Sequence, residues 1–312
     1  MQIFDEFLFS FGLGSDFLPN EYDGEIYHYT SSSAFQSILF EGERSAVLWA
    51  SRYDCLNDIS EGRAAEVILR EVSLELREQN KICEELYQLC VAARLTPTIL
   101  VHREVDGELI FSSKEYDRFI CSFSKKSDSL SMWNYYAKGN MYEGFNIGFD
   151  CGSIKESLIE QFRKVDAVAH IYPVVYDPAE QRQRVANFLQ SINKYYSDKN
   201  ASTISELIAD CLVNWSLIFK QACFQHEEEV RIIVDLAKDE TNIITQYRIY
   251  AGYVIPYIKL KIEKEAVSSV CFGPLSKGNE LTESQEKIME GLLTAKGYHC
   301  TCVSRSKIPI RY

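Results

Sequence analysis

The sequence lacks the short motifs by which most nucleotide-binding and hydrolytic enzymes are identified. Its 312 residues contain no Walker phosphate loop, no G-x-G-x-x-G fingerprint, no G-x-S-x-G elbow and no H-E-x-x-H motif. Only five histidines occur, and His102, His170 and His299 are isolated, without the spacing of metal ligands. P-loop, Rossmann, α/β-hydrolase and zincin chemistry in their usual forms are therefore excluded.

Positive charge and long apolar runs are also scarce. Thirty-three Lys and Arg residues face forty-five Asp and Glu residues, a formal net charge of −12. This deficit disfavours generic binding to duplex DNA or to anionic membranes, because both require a positive field. No apolar run approaches the ~20 residues of a membrane helix, and the acidic N-terminal segment has no basic region typical of a signal peptide. We expect a cytoplasmic protein without membrane association.

Cysteine is present but not in pairs. The ten cysteines include no C-x-x-C, and the only close pair is Cys300 with Cys302. In a chain of this size without an export signal, buried reduced thiols are favoured over a disulfide framework. No second Cys/His pair completes a four-ligand set, so no metal site is predicted.

Strand and helix patterns come in blocks rather than in strict βαβ alternation. This arrangement predicts an α+β fold in a single domain, 1–312, with helical insertions at about 61–94 and 178–224. Strands are predicted at 26–29, 46–50, 119–123, 144–150, 170–175, 230–236, 253–258, 267–272 and 301–303, and further helices at 34–40, 130–137 and 283–296.

Two polar groups follow predicted strands near the start of the chain. His28 ends a strand beside Tyr29 and Thr30, where one ring nitrogen could bind a ligand hydroxyl while the backbone holds the other. A core histidine satisfied by a carbonyl explains the same pattern. Arg52, in the polar loop 51–61, could grip a phosphate through its guanidinium. A turn followed by a capped helix explains that loop equally well.

Two further groups lie in the middle and late parts of the chain. Trp133 and Tyr136 are three residues apart on one helix face, where they could stack on a flat ring or pack in the core. If a strand begins near Glu227, its period of two puts Glu227, Glu229 and Arg231 on one face. A solvated strand edge is the competing interpretation of these charges.

Taken in order, these segments resemble the bacterial family catalogued as domain of unknown function 2971. The family name implies no function. At Val230 the chain departs mildly from the aromatic residue common there in the family, and its helical segments are longer. The motifs that carry the resemblance are YHYT at Tyr27–Thr30, LND with a later Glu at Leu56–Glu61, CSFS to GFNIGFD at Cys121–Asp150, F with E-x-E-x-R at Phe224–Arg231, Gly273-Pro274, and S-x-I-P-I-R at Ser306–Arg311.

A weaker resemblance links the opening strand and helix to ADP-ribosyltransferase-like folds. That resemblance implies a split antiparallel or mixed β-sheet carrying a His–Tyr–Glu or Arg–Ser–Glu set. His28 would contact the nicotinamide-side ribose of NAD, and Glu229 would fix the ribose and the acceptor. Tyr136 is the preferred aromatic flanking nicotinamide, with Trp133 or Tyr29 as alternatives.

The leading functional expectation is an ADP-ribosyltransferase-like enzyme or NAD-consuming effector, of the kind found among bacterial toxins and anti-phage proteins. NAD would be the substrate, no metal is expected, and the acceptor, protein or nucleic acid, stays open. The alternatives are a non-catalytic module that binds a nucleotide or nucleic-acid end, and an RNA-processing phosphotransfer enzyme. The predicted catalytic residues are Glu229, Glu227, His28 and Tyr136, and the predicted ligand-binding residues are His28, Tyr29, Thr30, Arg52, Trp133 and Arg231.

Overall fold

The structure is a computed structural model that describes residues 17–55, 60–95, 98–105, 108–137, 142–197, 199–274 and 282–309. Within them, the strands are β1 Glu25–Ser31, β2 Ser45–Arg52, β3 Thr98–Val105, β4 Glu108–Ser124, β5 Gly144–Asp150, β6 Ala167–Pro173, β7 Glu229–Ala237, β8 Gln246–Tyr250, β9 Tyr253–Glu263, β10 Val267–Phe272 and β11 Cys302–Arg305. The α-helices are α1 Ser32–Phe40, α2 Ser60–Glu78, α3 Glu84–Ala92, α4 Leu130–Tyr136, α5 Cys151–Phe162, α6 Pro178–Asn193, α7 Ala201–Ile218, α8 Lys238–Ile244 and α9 Thr282–Ala295.

The strands form a largely antiparallel open sheet, which confirms the prediction of an α+β fold. Its main path runs β11-β10-β5-β1-β4-β2-β9-β8, with β3 and β7 also paired to β4, and β6 to β7. The β10–β11 pair is parallel, so the sheet is mixed. None of the helices in the described ranges is long and apolar enough to cross a membrane.

The centre of the sheet is a fork at β4. Strand β7 pairs with one edge of β4 from Tyr116 to Ser124. On the opposite edge, β1 pairs only at Ser124, whereas β2 pairs at Phe119 and Ile120. Strands β1 and β2 therefore leave the same edge at different heights, and each continues into its own group of strands. The fork places the start of β7, the end of β4 and the middle of β1 next to one another.

Two hydrophobic clusters cover the two faces of the sheet, as strand alternation requires. On one face, α2, α3, α6 and α7 bury residues such as Trp215 and Phe188 against Ile120 and Ile233. On the other face, the sheet packs against α1, α5 and α9 through the alternate positions, such as Ile232. Both predicted helical insertions thus belong to a single layer.

The structure corrects several predicted elements. The helical segment 61–94 is two helices separated at Asn80, whose φ of 55° ends α2. The segment 178–224 is two α-helices followed by a 3₁₀ helix, Ala222–Glu227. Strand β4 is much longer than the predicted 119–123, and β3, α5, α8 and β8 were missed. Helix α5 follows Asp150 directly, and the Asp150 side chain accepts from Ser153 N at 2.8 Å, so this N-cap was a readable signal.

Candidate functional site

Glu229 begins β7 as a buried carboxylate bound by two cationic side chains. Its Oε1 accepts from Arg231 Nε at 2.8 Å, and its Oε2 accepts from Arg231 Nη2 at 3.0 Å and from Lys220 Nζ at 3.1 Å. Its backbone N–H donates to the Tyr176 hydroxyl at 3.0 Å. Burial acts to raise the pKa of Glu229, but Arg231, Lys220 and the Ser122 hydroxyl together lower it to about 2. The carboxylate is therefore ionised at neutral pH.

Glu227 lies next to Glu229, but not on a shared strand face as predicted. It ends the 3₁₀ helix, and the strand begins two residues later, so the predicted period-two face does not extend back to Glu227. Glu228, between them, has a left-handed φ of 42°. Lys220 nevertheless joins the two carboxylates, because its Nζ donates to Glu227 Oε2 at 2.6 Å as well as to Glu229. Lys220 follows α7 closely, and no motif in the sequence singled it out.

Tyr136 lies at the C-terminal end of α4, beside these two carboxylates. Tyr136 is 51% exposed, yet the pKa of its hydroxyl is raised to about 12 by partial burial and by the charges of Glu229 and Glu227. The neighbouring Tyr135 is also exposed, and its hydroxyl contacts His226 Nε2 at 2.8 Å. We call Tyr136, Lys220, Glu227, Glu229 and Arg231 the Glu229 cluster.

The His28 ring is fixed by the backbone of β4. Its Nδ1 lies 3.2 Å from the Ser122 carbonyl oxygen, and its ring meets Phe123 edge-on at 5.5 Å between centroids. Burial lowers the pKa of His28, with the carbonyl contact acting in the opposite direction. A carbonyl only accepts, so Nδ1 carries the proton, and in the neutral ring Nε2 is then an acceptor.

His28 and Glu229 are connected through Ser122 rather than by direct contact. Tyr27 pairs with Ser124, and Ser124 pairs with Glu229, so these three side chains share one face of the sheet. His28, one residue along β1, belongs to the opposite face. Ser122 connects the two residues, since its carbonyl oxygen contacts His28 Nδ1 and its hydroxyl forms a hydrogen bond with the Glu229 carboxylate. The structure therefore brings Tyr136 and the carboxylates together and places His28 behind them.

Tyr29 and Trp133 are core residues in this structure. Their rings pack edge-on at 4.8 Å, and both residues are at least 98% buried. The Tyr29 hydroxyl donates to Lys126 O and accepts from Ser129 N, while Trp133 Nε1 donates to Asp128 Oδ1 at 2.7 Å. Neither offers an exposed ring face on which a ligand could stack. Of the three aromatic candidates, only Tyr136 is accessible.

Three other predicted ligand contacts are also occupied or distant. Thr30 is buried and lies opposite Phe145 in the β1–β5 pair. Arg52 is on the other branch of the fork, where its guanidinium binds Asp54 at 2.7 and 3.1 Å. Arg231 is buried against Glu229, so it positions that carboxylate instead of facing solvent. The Leu56–Asp58 part of the loop motif lies outside the described residues.

The described residues contain no cluster of three or more His, Cys, Asp or Glu able to hold a metal ion. All ten cysteines are free. Cys90, Cys121, Cys151 and Cys211 are buried, whereas Cys223, Cys300 and Cys302 are exposed.

A comparison with known protein families finds a match for part of the chain. Residues 132–232 match the model of a family described as "Protein of unknown function (DUF2971)", which confirms the resemblance over about a third of the chain. The match spans every residue of the Glu229 cluster, from Tyr136 to Arg231, whereas His28 and Arg52 precede it. Neither the curated proteins nor the solved structures gave a match.

Proposed function

We propose that the Glu229 cluster is the active site of an ADP-ribosyltransferase-like enzyme with NAD as its substrate. The observation that carries the proposal is a pair of carboxylates joined by Lys220 beside a half-exposed tyrosine. Arg231 and Lys220 hold Glu229 charged, with its pKa at about 2, and Lys220 holds Glu227 next to it. Tyr136 then supplies the wall on which the nicotinamide ring stacks.

Breaking the nicotinamide–ribose bond requires little acid chemistry, which suits this site. The bond between ribose C1′ and the pyridinium nitrogen breaks, and its electron pair stays with the nitrogen, so nicotinamide leaves neutral. The ribosyl centre becomes oxocarbenium-like, and a fixed carboxylate stabilises that positive charge. The acceptor, water or another nucleophile, then bonds to C1′ and releases a proton.

The two carboxylates have different roles in this proposal. Glu229 is the more deeply buried, with 8% of its side chain exposed, and it provides the fixed negative charge. The Glu227 side chain is 17% exposed, so it contacts the ribose hydroxyls or the acceptor proton. His28, neutral with Nε2 as an acceptor, supports Ser122 from the other face. The acceptor class and a role as toxin or anti-phage effector rest on the fold resemblance alone.

A non-catalytic nucleotide-binding module is the second candidate, and one observation favours it. Both oxygens of Glu229 are already bound by Arg231 and Lys220. A carboxylate neutralised in this way can serve as a structural ion pair under a binding surface formed by Tyr135 and Tyr136. Phosphotransfer by the cations is less well supported, because both are paired with carboxylates.

The first experiment is to incubate the purified protein with NAD and to measure nicotinamide release, with and without cell extract as a source of acceptors. The enzyme proposal predicts release, and the binding-module candidate predicts none. In the second case, NAD or another nucleotide would still raise the melting temperature, since a ligand that binds only the native state stabilises it. If NAD releases no nicotinamide and no nucleotide raises the melting temperature, both candidate functions are contradicted.

A further inference from the structure

The hairpin formed by β8 and β9 exposes an unusual amount of apolar surface. Arg248 is the only charged residue between 246 and 258, whereas a quarter of the whole chain is charged. A solvated surface would carry more charge than this. The exposed apolar side chains are Tyr247 at 66%, Ile249 at 81%, Tyr250 at 62%, Tyr253 at 73% and Val254 at 62%.

Strand β8 is also an edge of the sheet. Within the described residues it pairs only with β9, and it ends the main path of strands. Its outer edge presents backbone N–H and C=O groups, the template that another strand binds. Natural edge strands usually carry charges, prolines or bulges that prevent such pairing. The five residues of β8 contain only Arg248 as a charge, and it turns inward to bind Ser51 Oγ at 3.0 Å.

One face of the hairpin continues the buried face of the sheet. Ile249 lies opposite Val254 in the β8–β9 register, and Val254 has the same alternation as Ile258 and Leu260, which are core residues. At Ile249 and Val254 the helical layer no longer covers this face, as their exposure shows. In the part of the chain that the structure describes, the apolar face thus continues from the core to an end of the sheet that no helix covers.

We propose that this end of the sheet binds a second copy of the same chain through antiparallel pairing of the two β8 strands. A two-fold axis perpendicular to the sheet keeps the apolar faces of both copies on the same side. With the axis at Ile249, each Ile249 faces its equivalent, and each Arg248 faces Tyr250 of the other copy, so like charges are not opposed. Such an isologous contact satisfies both free edges at once and closes the assembly as a dimer.

The available surface fits this partner. Tyr247, Ile249 and Val254 lie on one face of the hairpin, and Tyr250 and Tyr253 lie on the other, so pairing through the edge brings apolar side chains of both copies side by side on each face. Arg248 as the only charge of the 246–258 segment minimises local repulsion, although each chain carries a net charge of −12. Repulsion between the distant acidic surfaces is screened beyond ~8 Å at physiological salt.

The test is the molar mass in solution, measured by analytical ultracentrifugation over a concentration series at physiological salt. The matched variants are Ile249→Lys and Ile159→Lys, since Ile159 is 71% exposed on α5, where it borders a cavity lined by residues of β6. We expect dimers of the wild type and of Ile159→Lys, and a loss of at least tenfold in association for Ile249→Lys. Melting temperatures of both variants verify that they are folded.

Three outcomes would overturn the proposal. A wild type that stays monomeric throughout the series shows that the hairpin does not bind a second copy. Dimers that persist in Ile249→Lys place the interface elsewhere, and a loss of dimer in both variants shows that β8 has no specific part. Hydrogen exchange gives an independent check, because amides of Tyr247–Tyr250 should be protected more at high than at low protein concentration.

Discussion

At the residue scale, two opposing influences act on the pKa of the Glu229 carboxyl group. Burial favours its neutral form, while Arg231 and Lys220 favour its charged form, and the pKa of about 2 shows that the cations prevail. Removing one member of a buried ion pair costs about 3–5 kcal/mol, because the remaining charges are left uncompensated. Glu227, which is more exposed, is therefore the cleaner position for substitution.

Tyr136 provides a test of ring stacking separate from its hydroxyl. If the ring stacks on nicotinamide, Tyr136→Phe should retain NAD binding, and Tyr136→Ala should weaken it by about 1–3 kcal/mol, or roughly ten- to a hundredfold. Isothermal titration or thermal shift with NAD measures this difference. Because Tyr136 is half exposed, neither substitution should unfold the chain. Equal binding by both variants would assign the stacking role to another residue.

Asp210 belongs to a buried group of charged side chains, and its raised pKa predicts that the stability of the fold depends on pH. Its carboxylate lies 3.2 Å from Arg118 Nη2, and Asp235 lies 2.8 Å from Arg118 Nε, so two acids share one guanidinium. Burial and the Asp235 charge raise the pKa of Asp210 to about 7, with Arg118 opposing them. Between about pH 4 and pH 7 the folded state therefore holds a proton that the unfolded state has lost. The free energy of unfolding should fall as pH rises through this window, by at most about 1.4 kcal/mol per pH unit.

The variant Asp210→Asn removes this titration. Urea unfolding at several pH values should show a flatter dependence between pH 4 and 7, and a more stable variant than the wild type at pH 8. Glu228→Gln, which removes a more exposed carboxylate paired with Lys126, is the control and should keep the wild-type slope. An unchanged slope in Asp210→Asn would contradict the assignment of the proton to Asp210.

At the element scale, the position of α4 depends on Asp128 and on the chain after β11. Asp128 Oδ1 accepts from Trp133 Nε1 and from Ser306 Oγ, each at 2.7 Å, and Oδ2 accepts from Lys307 N at 2.8 Å. One carboxylate thus ties the helix that carries Tyr136 to the C-terminal segment. The position of that helix sets the distance between the Tyr136 ring and the carboxylates of Glu227 and Glu229.

The variant Asp128→Ala removes all three hydrogen bonds and leaves Trp133 Nε1 without this acceptor. We expect a loss of about 2–4 kcal/mol in the free energy of unfolding, measured in urea. Asp54→Ala, which breaks a more exposed pair with Arg52, should lose less than about 1 kcal/mol. Equal losses in the free energy of unfolding for the two variants would show that Asp128 does not hold α4 in position.

The same elements show what the sequence could and could not predict. Alternation identified β5 and β7, because their apolar positions repeat every two residues. The N-cap Ser31, whose hydroxyl accepts from Ala34 N at 3.3 Å, marked the start of α1. Strand register was not readable, so nothing in the sequence indicated that His28 and Glu229 lie on opposite faces. Lys220 was missed because it approaches Glu229 through tertiary packing of α7, not through spacing in a motif.

At the scale of the whole molecule, the fork at β4 determines where functional groups meet. Strands β1 and β2 leave one edge of β4 while β7 occupies the other, so the end of β4 is bordered by β1 and β7. Arg52 belongs to the β2 branch and is thereby kept from the site. The β8–β9 hairpin lies at the end of the same branch, which makes association through it compatible with an accessible Glu229 cluster.

The most direct test of the central claim is the rate of nicotinamide release from NAD by Glu227→Gln and Glu228→Gln, measured side by side with the wild type. The two substitutions are chemically identical and lie at neighbouring positions. Of the two glutamates, Glu227 contacts Lys220 of the cluster, whereas Glu228 pairs with Lys126. We predict wild-type release from Glu228→Gln and a loss of at least about a hundredfold from Glu227→Gln, with unchanged melting temperatures. Equal rates in the two variants, or no release by the wild type under any condition, would contradict the assignment of NAD cleavage to the Glu229 cluster.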